Sequence, residues 1–180
     1  MSTSAKILLT GLPRCGKTTA VMKIIANIDF ERIAGFYTQE IRQADVRKGF
    51  SWRRLDGTTG ILAHIDIKGP FRVSKYGVDV ASFEKSVVPI LDIGKTDTQL
   101  FVIDEIGKME CFSKEFVEAI RGLFKSDKSV LATVALKGSG LISEVKDYPD
   151  TRLFNLTRHN SQKTIDEILQ SLRFLKKIES

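Results

Sequence analysis

Two short stretches of this chain carry residue types suited to phosphate chemistry. The first is GLPRCGKTT, Gly11 to Thr19, set between an apolar run at Lys6 to Thr10 and an apolar pattern with helical spacing. The spacing Gly-x-x-x-x-Gly-Lys-Thr is the Walker A form of phosphate-binding loop, and it stands where such a loop works, between a strand and a helix. Gly11 lets the chain leave the strand in a conformation that a side chain would obstruct, and Gly16 lets backbone N–H groups come close to a phosphate. Those donors and the positive end of the following helix dipole make an anion cradle. In such a cradle Lys17 reaches the outer phosphates, and the Thr18 hydroxyl ligates a magnesium ion that bridges them. Leu12, Pro13, Arg14 and Cys15 form the body of the loop, so the whole run from Gly11 to Thr19 is expected to line the nucleotide, with Thr19 capping or packing.

The second stretch is QLFVIDEIGKMECF, from Gln99 to Phe112. A buried strand ending in Asp104 puts a carboxylate at the carboxyl edge of a sheet, where a Walker B aspartate holds the metal ion. Glu105 follows at once. Hydrolysis needs a water oriented and partly deprotonated toward the terminal phosphorus, and a carboxylate one residue past the metal-binding aspartate suits that task. The chemistry read here is positioning and charge neutralisation. Thr133 is either a polar sensor of the attacking water or a satisfied threonine at a strand end. Arg158 and Asn160 follow the last strand, where a base is contacted, and Asn160 also fits a helix N-cap. Further positive charge for the terminal phosphate is available from Arg14, Arg42, Lys75 or Lys108, among which the sequence does not choose. Trp52, with Phe36, Tyr37 and Phe50, reads as core rather than as a base-stacking platform.

The elements that must position these residues follow from periodicity. Strand-like runs fall at Lys6 to Thr10, Ile33 to Thr38, Leu100 to Asp104, Val130 to Val134 and Arg152 to Leu156. Their continuous apolar character predicts strands buried on both faces. Between most of them lie helical patterns. Phe116, Ile120, Leu123 and Phe124 form one apolar face behind Ser113 as N-cap. Ile165, Ile168, Leu169, Leu172 and Leu175 form another on a C-terminal helix that opens near Asn160 or Ser161. Strands alternating with helices predict an α/β fold, a mostly parallel sheet in a three-layer sandwich with its ligand at the carboxyl ends of the strands. Between about residues 39 and 78 the pattern changes to short alternating segments punctuated by glycine, read as antiparallel hairpins inserted beside the core sheet.

At 180 residues and 42% apolar content the chain fits one domain, residues 1–180, with a substantial core. No run approaches the roughly 20 apolar residues of a membrane span. The opening MSTSAK lacks the apolar segment of a secretion signal, which predicts a cytoplasmic protein. Cys15 and Cys111 lack metal-ligand spacing and read as reduced thiols. The net charge of +6 suits a protein that binds nucleotides, while the basic residues are scattered and match no nucleic-acid-binding module. A monomer or weak oligomer is expected.

The stretches GLPRCGKTT, AGFYTQEIR, VSKYGVD, LFVIDEIGKMECFS and NLTRHN, in this order and spacing, resemble the THEP1 family of nucleoside-triphosphatases over nearly the whole chain. The resemblance implies a P-loop NTPase fold of the RecA-like kind and hydrolysis of ATP, GTP and other nucleoside triphosphates to the diphosphate and phosphate, with magnesium and broad base tolerance. By that likeness Lys17 and Glu105 are catalytic, and Thr18 and Asp104 hold the metal. Relatives often carry a proline near the fourth strand, where this chain runs ATVALKGSG. The alternative is a kinase passing the terminal phosphate to a nucleoside or small metabolite held under the hairpins.

Overall fold

The computed structural model describes residues 4–95 and 97–179, with side chains through Arg173. In chain order the elements are β1 (Lys6–Thr10), α1 (Lys17–Ala26), β2 (Ile33–Gln43), β3 (Val46–Arg54), β4 (Thr59–His64), β5 (Arg72–Val73), β6 (Tyr76–Val78) and α2 (Val80–Ser86). They continue with β7 (Leu100–Ile106), α3 (Lys114–Lys125), β8 (Ser129–Val134), α4 (Leu141–Glu144), β9 (Thr151–Asn155) and α5 (Ser161–Glu179). Among the described residues all nine strands form one sheet, in the order β5-β6-β4-β3-β2-β7-β8-β1-β9. From β2 to β9 the neighbours run parallel; from β2 out to β5 they run antiparallel.

The apolar runs explain the centre of the sheet. β1 and β8 are buried at every residue, and β7 at every residue but Glu105, because helices cover both faces. On one face Ile7, Leu9, Leu131, Val21, Ile24 and Ile168 bind α1 and α5 to the sheet. On the other, Phe36 meets Phe83 of α2 and Phe116 of α3 edge-on, with ring centroids 5.5 and 6.2 Å away. The starts of α2 and α3 are fixed by side chains. The Ser113 hydroxyl accepts from the Phe116 N–H at 2.9 Å, and Asp79 Oδ1 accepts from the Ser82 N–H at 3.0 Å.

The structure departs from the sequence reading at two places. β9 is the sheet's edge, and Arg152, Leu153 and Asn155 are exposed, because β1 pairs it on one side only; its apolar letters do not make it a central strand. The hairpins are not set beside the core sheet but continue it. β2 pairs β7 over Ile33 to Tyr37 and β3 over Phe36 to Gln43, so one strand belongs to both halves. Leu175 lies outside the residues whose side chains are described. Trp52 is core, as expected, at 2% exposure. It packs so closely over Gly60 that a Cβ there would stand 2.3 Å from Trp52 Cζ2. Among the described residues no helix is long and apolar enough to cross a membrane.

Candidate active site

The loop between β1 and α1 takes its shape from two glycines and one turn. A Cβ on Gly11 would lie 2.5 Å from the Leu156 carbonyl oxygen and 2.8 Å from Cys15 Sγ, so only glycine fits beneath the loop. The Cys15 N–H donates to the Leu12 carbonyl at 3.2 Å, closing the turn. Gly16, at φ 100°, then hands the chain to α1 as its N-cap with no side chain capping the helix. The first N–H groups of α1 therefore remain for an anion. Thr19 is exposed and makes no cap hydrogen bond, contrary to the expectation that it caps or packs.

Facing the loop is the end of β7. The Thr18 hydroxyl donates to Asp104 Oδ2 at 2.6 Å, and the Thr133 hydroxyl from β8 donates to Asp104 Oδ1 at 2.5 Å. The backbone of Thr38 in β2 also helps lower this carboxyl, as the smallest of the influences on it. Side chains from α1 and β8 thus hold the two oxygens of one carboxyl, and Thr133 is a satisfied threonine at its strand end, its hydroxyl on Asp104. Burial pushes the Asp104 carboxyl above its usual range, against the pull of Thr133, Thr18 and the Lys17 charge. Lys17 Nζ donates to the carbonyls of Gly11 at 3.2 Å and Leu12 at 3.4 Å, which places the ammonium at the mouth of the loop.

Glu105 follows Asp104 through a cis peptide and is half-buried. Its carboxyl is also raised by burial, with Lys17 lowering it and Asp104 raising it further. Sequence reasoning missed a third carboxyl. Glu110 is buried, and its titration is pushed up to about 8 by desolvation and then by the Glu105 charge. A Cβ on Gly107 would touch both, standing 2.9 Å from Glu110 Oε2 and 3.1 Å from Glu105 Oε1. The signal for Glu110 was an acid amid apolar residues in KMECF. Glu110 thus feels the charges of both Glu105 and Asp104, while Lys17 lowers the latter two.

Beyond the loop lies a cleft of about 380 Å³ whose lining includes Leu12, Cys15, Leu136, Arg158 and His159. Arg158 thus borders this cleft. The Asn160 side chain is otherwise engaged: it accepts from the Thr157 N–H at 2.8 Å and donates to the Asn155 carbonyl at 2.9 Å. Its carbonyl accepts from the Thr164 N–H at 2.9 Å, as an N-cap position does. Lys146 Nζ ties the loop after β8 by donating to the Ala135 and Leu136 carbonyls at 2.7 and 2.9 Å. Of the other cations named from sequence, Arg42 is on Glu40, Lys75 lies 5.5 Å from the Tyr76 ring centroid, and Lys108 is exposed. Among the described residues no group of three or more His, Cys, Asp or Glu is arranged to hold a metal.

A family model described as NTPase matches residues 6–169. The nucleoside-triphosphatase THEP1 of Thermotoga maritima is 38% identical, over 94% of this chain and 96% of its own length. The human cancer-related nucleoside-triphosphatase is 33% identical, over 95% of this chain and 98% of its own. A crystal structure of THEP1 from the hyperthermophile Aquifex aeolicus superposes with a TM-score of 0.85 at 34% identity, covering 93% of this chain and 98% of that one.

Proposed function

The chain belongs to the THEP1 family of nucleoside-triphosphatases, and from that premise we propose how its residues divide the work of hydrolysing a nucleoside triphosphate to the diphosphate and phosphate. The backbone N–H groups of Gly11 to Thr19 and the start of α1 bind the phosphates. Lys17 neutralises the outer ones. Glu105 orients the attacking water and takes its proton. One observation carries this reading: the 2.6 Å hydrogen bond from Thr18 to Asp104, which brings the phosphate loop and the end of β7 together around one point.

Thr18 Oγ1 and the Asp104 carboxylate are hard oxygen donors, and they fit magnesium, which takes few protein ligands and completes its shell with water and phosphate oxygens. When bound, magnesium neutralises charge on the outer phosphates. The base occupies the cleft past Leu12, where Arg158 and His159 border it and Asn160 holds the loop that carries them. Because apolar and flexible groups make up much of that lining, the cleft accepts several bases. A kinase acting on a separate acceptor is the less favoured reading, since the relatives are named as triphosphatases. We assign the enzyme to the cytoplasm on its two free cysteines.

Purified protein with a panel of nucleoside triphosphates and magnesium should release phosphate with water as the only acceptor. Chelation with EDTA should stop the release and added magnesium restore it; Lys17→Ala should abolish it with an unchanged circular dichroism spectrum. Undiminished turnover in excess EDTA would contradict the roles of Thr18 and Asp104.

A further inference from the structure

Hydrolysis builds negative charge on the terminal phosphoryl group, and basic donors beyond the loop lysine commonly meet it. The sheet order places β7 and β8 between β1 and β2, about 14 Å at ordinary strand spacing. A contact that joins the loop after β1 to the far end of β2 must therefore pass over the carboxyl edge of β7, where Asp104 and Glu105 stand. Arg14 and Glu40 make that contact, with Arg14 Nη2 3.9 Å from Glu40 Oε2.

Glu40 holds its arginines unequally. Arg47 donates to Glu40 Oε1 at 2.8 Å and to the Tyr76 hydroxyl at 3.0 Å, and its guanidinium lies 5.1 Å from the Phe50 ring centroid. Arg42 donates to Glu40 Oε2 at 2.6 Å and also to the Asp45 carbonyl. Both are fixed, and they keep the Glu40 carboxyl ionised, the Arg47 hydrogen bond most of all. Arg14 touches Glu40 without a hydrogen bond among the described residues, and its side chain is 69% exposed. An exposed pair of this kind is weak and readily exchanged. Arg14 also sits at φ 63°, a backbone region that glycine adopts without strain. The loop keeps a long cationic side chain at a position where glycine would be easier, which marks the side chain as useful.

Resting on the hydrolysis reading, we propose that Arg14 is a second cationic donor to the terminal phosphate and that Glu40 is its positioning residue. Glu40 holds the guanidinium above Asp104 until charge develops, and Arg14 then turns to the phosphoryl oxygens, whose geometry its fork matches. In this step the water oxygen forms the new bond to phosphorus. The bond from phosphorus to the bridging oxygen breaks, its electron pair stays with the diphosphate, and the water's proton passes to Glu105. Arg14 donates hydrogen bonds and gives up no proton.

The test compares the parent with Arg14→Ala, Arg14→Lys and Glu40→Gln in phosphate release. It also measures magnesium-dependent binding of nucleoside diphosphate with and without aluminium fluoride, a mimic of the transferring phosphoryl group. Arg14→Ala should lose on the order of a hundredfold in kcat with little change in KM, and should regain part of it when guanidinium ion is added. Arg14→Lys should fall between the two. Glu40→Gln should lose about tenfold, as expected of a group that acts through its neighbour. Diphosphate affinity should persist in Arg14→Ala while its preference for aluminium fluoride disappears. Parent-like turnover in Arg14→Ala, or a preference for aluminium fluoride left intact, would overturn the proposal. If the parent releases no phosphate with water alone yet Arg14→Ala still loses that preference, the hydrolysis reading fails and the role of Arg14 stands.

Discussion

Asp104 and Glu105 are adjacent in sequence, and the opposed tasks proposed for them are separable by substitution. Asp104 accepts hydroxyl hydrogen bonds on both oxygens, from Thr18 and Thr133. In Asp104→Asn one of those hydroxyls must face an NH2 group that cannot accept, so the variant should need far more magnesium for half-maximal turnover. Glu105→Gln should bind nucleotide and magnesium nearly as the parent does, yet release phosphate at least about a hundredfold more slowly in single turnover. A near-normal rate would place the water's activator elsewhere. Because burial raises the Glu105 carboxyl, the acid limb of the parent's rate profile should lie above the ordinary glutamate range and vanish in the variant. Glu110 invites a different measurement. It titrates near 8 in the folded chain against an ordinary 4.5, so folding takes up a proton between those values. Its stabilising contribution is complete below the lower value and is lost as pH rises toward the upper. Melting without nucleotide or metal should therefore lose stability from pH 5 to 8 more steeply in the parent than in Glu110→Gln, by on the order of a few kcal/mol. Equal slopes would show that Glu110 is not the group responsible.

Elements differ in how plainly the sequence announces them. β1, β7 and β8 are legible because burial on both faces leaves mostly apolar letters, and α3 because Ser113 precedes a clean stripe. The phosphate loop is legible because its glycines and lysine are demanded by local geometry. Long-range relations are not written locally. Nothing in RLFNL says that β1 alone pairs it, and nothing in AGFYTQEIR says that Glu40 will gather arginines from the phosphate loop and from β3. Thr133 looked ambiguous because its partner lies on the neighbouring strand. Gly35 shows the same dependence on a distant neighbour, since a Cβ there would stand 1.9 Å from the Val102 carbonyl oxygen of β7. Gly35→Ala must force β2 from β7 and should cost about 3 kcal/mol or more. It should also disturb the pairing of Tyr37 with Asp104, lowering activity in whatever protein still folds. An unchanged urea midpoint would contradict this account of the β2–β7 seam.

Across the whole molecule the two halves of the sheet share a single strand. β2 pairs β7 with its first residues and β3 with its last, and Tyr37, which pairs with Asp104, lies near the changeover. From there to the hairpin tip the strand runs about 20 Å at the ordinary rise per residue. In mechanical terms β2 is a lever whose fulcrum is the parallel core and whose short arm ends at Tyr37, the partner of Asp104. A load on the tip at Ala44 and Asp45 is thus felt at Asp104 through one stiff strand, whereas a load on β9 reaches it only after crossing β1 and β8. The same lever carries Glu40, so twisting the hairpin moves the Arg14 rest together with the Asp104 oxygens. An immobilised form of the enzyme is best tethered through β9 or α5, leaving the hairpin unloaded.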